Sequence, residues 1–564
     1  MRIVIVGGVA AGMSAAARAR RLDEEAEIVV LERGDHVSFA NCGLPYYVGG
    51  EISEEDDLLL HTPASLRAAL DLDVRVRQEV VGLDAAARTV AVRTPGAADG
   101  RTEEIAYDAL ILAPGALAIR PPIPGLGSPR VSTLRTVGDA VALRDAVEAG
   151  ARRAVVLGGG FIGIEAAENL RARGLAVDVV ERAPHVLPML DAEIAHPVAV
   201  ELERLGITVH AGVEANRIEQ GEEYDVVVLS DGSRVTADLV VLSAGVRPDT
   251  AVFEAAGVAC ERGAIVVDEH GRTNLPGVYA AGDATAVIDA VTGVRRPVAL
   301  AGPANRAGRQ IADHIMRPDA ARPLPAPVGT AIVRVGRLTA ATTGAGAADL
   351  ARAGIAAHTL HLHPTQHAGY FPGASPLSMA VRIREGDGRI LGAQIVGGDG
   401  VDKRIDVVAT AIRAGLAVGD LIDLDLAYSP VHGSAKDPVN LVGMVGANVL
   451  DGTLALWYAQ EWGTLRETAL ILDVRSPEEY RAGHLPGALL IPHTELRGRL
   501  DEVREAADGR PVRVLCGSGV RSHIAHRVLT QAGMDSASLS GGMRTVVSVL
   551  GADLLERTDA EGVA

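Results

Sequence analysis

Three features of this 564-residue chain predict an α/β protein built on two dinucleotide-binding units. A strand, a glycine-rich turn, a helix and a second strand follow one another from Ile3 to Glu32, and the same order returns from Ala154 to Glu181. Glycine accounts for 64 residues and aromatics for only 3%, a composition suited to many tight strand–helix turns. A hydrophobic content of 48% can fill large cores, and at about 150 residues per domain the length suits roughly three or four domains.

Charge and cysteine content narrow the functional classes. With 54 basic and 72 acidic residues the net charge is −18, which argues against a general nucleic-acid surface. No run reaches the roughly 18 apolar residues of a membrane span. Ile3 to Val6 reads as a buried strand rather than a signal sequence, because glycines interrupt it at once. Cys42, Cys260 and Cys516 lie too far apart to form a disulfide framework. A reducing cytoplasm is the expected location, and no metal site is predicted.

In the first unit the strand runs into Gly7, Gly8, Val9, Ala10, Ala11 and Gly12, followed by a helix from Met13 to Leu22 and a strand from Glu27 to Leu31. A helix start offers unpaired N–H groups and a positive dipole end to a pyrophosphate. Glu32, with Arg33 beside it, is placed for a ribose hydroxyl. Val9 stands where a G-x-G-x-x-G motif has its middle glycine. The second unit keeps all three, Gly158, Gly160 and Gly163, and its second strand, Ala176 to Val180, ends at Glu181. That carboxylate favours NADH over NADPH, since it repels a ribose phosphate, although Arg182 adjoins it. Two such Rossmann-like units imply two nucleotides.

Strand-to-glycine turns flank the second unit. Leu110 to Gly115, with Ala113 and Gly115 as cofactor contacts, and Val240 to Gly245 read as crossings, so the second unit is inserted into the first. Further on, Gly277 to Ala284 reads as a strand ending in Gly282-Asp283 ahead of a helix. Asp283 is then placed to accept a hydrogen bond from the ribitol of a flavin.

The stretch Val37-Ser38-Phe39-Ala40-Asn41-Cys42-Gly43-Leu44-Pro45-Tyr46-Tyr47 puts one cysteine just past the first unit. Together with both nucleotide units and the Gly-Asp turn, it makes residues 1 to about 445 resemble the FAD- and pyridine-nucleotide-dependent disulfide reductases, and within them the single-cysteine coenzyme A-disulfide reductase branch. The resemblance implies FAD, a homodimer and an α+β dimerisation domain. The expected divisions are 1–112 with 245–320 for FAD, 113–244 for NAD(P)H and 321–445 for the dimer domain. Dithiol relatives have C-x4-C here, whereas this chain has Tyr47, so the second thiol comes from outside. Asn41 is expected to supply a donor to the Cys42 thiolate. Arg18 and Arg21, at i and i+3 on the first helix, lie with Ser38 and Asn41 where the family binds coenzyme A. Segments around His367 to Gly373 and Ala427 to Asn440 resemble those that cover the partner's active site, with Tyr370 and Tyr428 as proton donors to the departing sulfur.

After an expected linker, 446–464, the composition resets. Leu470 to Tyr480, Gly483 to Ala488 and Val514 to Arg521 resemble a rhodanese domain, placed at 465–564. Cys516 and Arg521 bound a C-x4-R loop sized for a persulfide, whose inward N–H groups form an anion nest. The combined expectation is an NAD(P)H-dependent coenzyme A-disulfide or persulfide (polysulfide) reductase fused to a sulfurtransferase. Its partners are coenzyme A thiols and persulfides, with no nucleic acid and no membrane. The alternative is an NADH oxidase or peroxidase cycling through a sulfenic acid at Cys42. Ala10, where the peroxidase branch has a histidine, argues against that alternative.

Overall fold

A computed structural model describes residues 1–94 and 102–557. Two compact units emerge: Met1–Leu187 with Leu202–Gly329, and Pro188–Glu201 with Thr330–Ala564. Among the described residues no helix is long and apolar enough to cross a membrane.

The first unit contains two five-stranded parallel sheets. One runs in the order Val278–Ala280, Ala109–Leu112, Arg2–Val6, Glu27–Leu31, Asp73–Arg75. Its strands read as unbroken apolar runs because both faces are covered. One face receives the helices Ala10–Arg20 and Ala301–Met316. They pack so closely that a Cβ on Gly308 would lie 2.0 Å from the carbonyl oxygen of Ala11. The second sheet repeats the design in the order Ile207–Ala211, Ala176–Glu181, Arg153–Leu157, Leu239–Leu242, Val131–Ser132. Between them the crossings pair as a small antiparallel ribbon, Ala116–Ala118 with Val246–Pro248.

Local details depart from the sequence reading. The first helix begins at Ala10, not Met13, because two alanines favour helix as soon as the turn is complete. After the single 3₁₀ turn Gly282–Ala284 comes a strand, Thr285–Ile288, where a helix was expected. Thr285 and Ala286 pair with Ile265 and Val266, and Val287 and Ile288 with Arg296 and Arg295; the next α-helix starts only at Ala301.

The second unit joins an antiparallel sheet to a parallel one. The antiparallel sheet runs Ala331–Val335, Leu338–Gly344, Ile390–Gly397, Ser378–Arg384, Ala357–Leu362, backed by the helix Val401–Ala414. Pro188–Glu201 belongs here, which the sequence did not suggest. Asp191 pairs with the buried Arg382 and donates its N–H to Gln394 at 2.8 Å, while Glu201 accepts from the Arg337 N–H at 3.0 Å. The parallel sheet runs Leu456–Trp457, Ser536–Leu539, Val512–Leu515, Leu470–Asp473, Leu489–Leu490. The expected linker is therefore structured. Its first residues finish the helix Pro438–Leu450, and Trp457 forms an edge strand whose buried indole N–H donates to Val514 O at 3.1 Å. A buried indole needs both apolar surroundings and an acceptor, and the parallel sheet provides them.

Candidate active sites

The two dinucleotide turns share one steric logic. A Cβ on Gly12 would sit 1.9 Å from the Gly7 carbonyl oxygen, and one on Gly163 1.9 Å from that of Gly158. Gly7 and Gly158 have φ of +100° and +113°, and a Cβ there would strike the crossings at Ala113 O (2.0 Å) and Ser243 O (2.4 Å). Only glycine permits these approaches. Each turn is closed by its carboxylate. Glu32 accepts from the N–H groups of Gly8 (2.8 Å) and Gly34 (2.7 Å), and Glu181 from those of Gly159 (2.6 Å) and Ala183 (2.7 Å). Each carboxylate oxygen keeps a lone pair for a further donor such as a ribose hydroxyl.

Neither Ala10–Arg20 nor Phe161–Ala172 has a side-chain cap or an acidic residue in its first turn. Their leading N–H groups thus stay available to an anion. A Cβ on Gly160 would meet nothing within 4 Å, so this position faces open space; Val9 is its sequence counterpart in the first dinucleotide turn. Turns closed to a Cβ beneath open N–H groups fit the pyrophosphates of FAD and NAD(P)H. Arg33 is ion-paired with Asp249, whose N–H donates to Gly115 O at 3.1 Å. Asp283 borders the same helix, since a Cβ on Gly282 would be 3.4 Å from that of Ala11. Burial raises its carboxyl pKa, with Arg135 at 3.9 Å opposing the shift.

Cys42 lies in the single turn Asn41–Gly43, ahead of the helix Leu44–Gly49, and is accessible. The segment is tied to the first glycine turn by Ser38, which has a φ of +49° and donates its N–H to Gly8 O at 2.9 Å. Gly43 lets the turn close on Leu58 and Ile52, which a Cβ there would meet at 2.9 and 3.1 Å. Tyr47, standing where dithiol enzymes have their second cysteine, is buried beneath the Arg144 guanidinium at 4.5 Å. The expected support from Asn41 is not found: no hydrogen bond joins its amide to Cys42 among the described residues. Instead, burial raises the Cys42 thiol pKa, and Glu165 and Asp283 add to the rise. Within the chain alone the protonated thiol is favoured, because partial burial and two carboxylates disfavour the thiolate even though the residue stays accessible.

Glu165 was not legible as a site residue. It sits in the helix Phe161–Ala172, just after Gly163, and accepts from Tyr46 Oη at 3.1 Å, so that helix touches the Cys42 segment. Glu165→Gln removes a negative charge without shortening the side chain. We expect it to lower the pH midpoint of Cys42 alkylation by iodoacetamide and to speed alkylation at pH 7 roughly threefold. Peptide-resolved mass spectrometry across pH 6–10 measures this, and an unmoved midpoint would remove Glu165 from the thiol's environment.

The other expected contacts are partly engaged already. Arg18 donates to Asp313 on the neighbouring helix at 2.5 and 2.8 Å, whereas Arg21, the residue that ends its helix, is exposed. In the second unit Tyr370 and Tyr428 are 76% and 50% exposed, with their hydroxyls 3.3 Å apart. That mutual hydrogen bond raises the Tyr370 pKa, so it remains a protonated donor at neutral pH. Beside Tyr428 opens a cleft of about 460 Å³ lined by His367, Lys403 and His432. Within the segment 427–440 the exposure falls toward its end. From Asp437 onward the chain is core: this buried carboxylate caps Pro438–Leu450 and accepts from Arg404 at 2.8 Å.

Cys516 is buried at the end of Val512–Leu515, facing the start of the helix Val520–Gln531. The Gly519 N–H, at a φ of +100°, donates to its Sγ at 3.2 Å. Behind the sulfur lie two hydroxyls absent from the sequence reading. Ser522 Oγ is 3.4 Å from Sγ, and Ser538 donates to Ser522 at 2.9 Å. Arg521 closes the loop through a second residue that sequence did not reveal. Both of its N–H edges donate to Glu479 at 2.6 Å, holding that carboxyl down at about 2. Asp473 and Arg475 are buried partners at 2.6 Å, and Arg475 also binds Gly483 O, so the pair braces the domain.

Comparison with known proteins places this geometry. A model described as pyridine nucleotide-disulphide oxidoreductase matches residues 1–308, its dimerisation domain matches 330–437, and a rhodanese-like domain matches 457–548. An NADH oxidase of Methanocaldococcus jannaschii is 32% identical over 445 residues, covering 78% of this chain and 97% of that one. A coenzyme A disulfide reductase of Staphylococcus epidermidis is 32% identical over 444 residues, covering 78% and 99%. Among solved structures, reduced CoADR-RHD of Bacillus anthracis superposes with a TM-score of 0.94 at 40% identity, covering 97% of this chain and 98% of that one. An NAD-dependent persulfide reductase of A. fulgidus gives 0.89 at 36%, covering 97% and 100%. The chain is thus an oxidoreductase that belongs to the pyridine nucleotide-disulphide oxidoreductase family and carries a rhodanese-like domain at its C-terminal end.

Proposed function

We propose that the chain reduces coenzyme A disulfide or coenzyme A persulfide with electrons from NAD(P)H, using Cys42 as its one redox thiol, and that Cys516 carries sulfane sulfur. The observation that carries this reading is the accessible Cys42 beside the first dinucleotide turn, with buried Tyr47 in place of a resolving cysteine. FAD is assigned to 1–112 with 245–320 and NAD(P)H to 113–244; when bound, they supply two electrons from the nicotinamide to a disulfide.

The chain's own residues do the rest. Cys42 Sγ attacks the disulfide of the substrate, forming a mixed disulfide and releasing one thiol. Two electrons then break the new S–S bond, returning Cys42 as thiolate and the second product as thiol. With a persulfide the same balance yields one thiol and hydrosulfide. Tyr370 and Tyr428, exposed on the dimerisation domain and assigned to the partner's site in a homodimer, donate the proton that the departing sulfur takes up. Arg18, Arg21, Ser38 and Asn41 border the coenzyme A path. Glu181, which accepts two backbone N–H groups and would repel a 2′-phosphate, favours NADH.

Cys516→Ser tests the division of labour. The variant should lose transfer of sulfur from thiosulfate to cyanide while keeping NADH-dependent disulfide reduction within about twofold. Loss of both activities would overturn separate roles for the two cysteines. The relative named NADH oxidase favours a second reading, oxygen reduction at Cys42. Sustained NADH-driven oxygen consumption without coenzyme A, at a rate matching disulfide reduction, would establish it instead.

A further inference from the structure

The turn from Ser540 to Met543 is held from both sides. On one side is Ala357–Leu362, the edge strand of the antiparallel sheet. Ser540 Oγ accepts from the His361 N–H at 3.1 Å and lies 2.9 Å from its Nδ1. Nε2 of the same ring is 2.9 Å from Glu193 Oε1. A carboxylate only accepts, so Nε2 bears the proton, while the single Ser540 hydroxyl hydrogen has two acceptors in reach, the neutral ring's Nδ1 and Thr359 O at 3.3 Å. His361, Ser540 and Glu193 are all buried. A second tie runs from His363 Nε2 to Thr545 Oγ1 at 3.1 Å.

The other side of the turn is the floor of the Cys516 loop. Met543 N–H donates to Cys516 O at 2.8 Å, and Arg544 N–H to Gly517 O at 3.3 Å. Two consecutive glycines make this double contact possible. A Cβ on Gly541 would lie 2.7 Å from His361 Cβ, and one on Gly542 would lie 2.4 Å from Cys516 O and 2.7 Å from Ser518 N. Both have positive φ, +74° and +65°. The turn therefore has little room to move against either neighbour, and a shift at His361 reaches the turn through Ser540 and the Cys516 loop through the turn's backbone.

One core of the parallel sheet is filled by Leu472, Val514, Leu529 and their neighbours, and Met543 of the turn packs in the other with Trp457 and Leu539. A buried, fully partnered polar cluster is costly unless every member is satisfied, and here each is. We propose that His361 and Ser540 are positioning residues for chemistry at Cys516: the antiparallel sheet sets the turn 540–543, and the turn sets the persulfide loop. The rhodanese-like domain then works as part of the reductase body rather than as a tethered module. The inference rests on the reading of Cys516 as a sulfur carrier.

Three variants of the full-length flavoprotein separate the two edges of the imidazole. His361→Asn keeps a polar group at the Nδ1 edge facing Ser540, His361→Gln keeps one at the Nε2 edge facing Glu193, and Ser540→Ala removes the hydroxyl. The readouts are kcat and KM for thiosulfate-to-cyanide sulfur transfer and the pH midpoint of Cys516 alkylation by iodoacetamide. NADH-dependent disulfide reduction and the melting temperature serve as fold controls. Ser540→Ala and His361→Gln should lower kcat roughly tenfold with KM within about twofold, and should raise the alkylation midpoint; His361→Asn should stay near the parent. Unchanged kcat and midpoint in Ser540→Ala, or equal losses in the two His361 variants, would overturn the proposal. Should His361→Gln not fold, Ser540→Ala decides. A parent chain without sulfur transfer would refute the role given to Cys516, and the alkylation midpoints would still decide the positioning.

Discussion

Cys42→Ser is expected to cut NADH-dependent reduction of coenzyme A disulfide by at least about a thousandfold while leaving flavin content and flavin reduction by NADH unchanged. The size of the loss follows from geometry. A serine hydroxyl cannot form a disulfide, and Tyr47, buried under Arg144, leaves no neighbouring thiol to take over. The selectivity follows from the same geometry. The glycine turns that would hold the nucleotides are built by Gly7, Gly12, Gly158 and Gly163 with Glu32 and Glu181, and none of these depends on the sulfur atom. Stopped-flow absorbance separates the two steps, and substantial disulfide turnover in the variant would place the redox thiol elsewhere.

Gly163→Ala should be nearly as damaging, by a different route. The added methyl would meet Gly158 O at 1.9 Å and Ser243 Oγ at 2.6 Å, one a rigid backbone atom and the other a side chain already bonded to Gly158 O. The helix start must retreat from the turn, so the N–H groups lose their aim. We expect KM for NADH to rise roughly tenfold or more, with about 1–3 kcal/mol lost in stability from overpacking. Gly160→Ala is the informative partner, because a Cβ there meets nothing within 4 Å. It should keep the parent's melting temperature yet weaken NADH binding, since the methyl would point into the space assigned to the cofactor. Equal melting losses in the two variants would contradict this division between glycines that build the turn and the glycine that leaves room for a ligand.

Much of this was legible because the signals are local. A β-strand that must be buried on both faces, a turn that only glycine can make and a carboxylate at the next strand end occupy a fixed span, so Arg2–Val6, Glu27–Leu31 and Arg153–Leu157 announce themselves. Errors arose where tertiary pairing overrode local pattern. Thr285–Ile288 became a strand because Ala264–Val266 lay open beside it, and Trp457 left its supposed linker because Val514 O offered its indole an acceptor.

By itself the sequence determined the fold class, the two nucleotide-binding turns, the single thiol at position 42 and the C-x4-R loop at Cys516. Each depends on residues within one short segment, whose covalent spacing already dictates the geometry. Only the tertiary structure decided the electrostatics around those thiols. Glu165 reaches the Cys42 segment from another sheet's helix, Glu479 locks Arg521 from 42 residues away, and His361 touches Ser540 across 179 positions. No periodicity or motif encodes such meetings, because they are set by how whole layers pack.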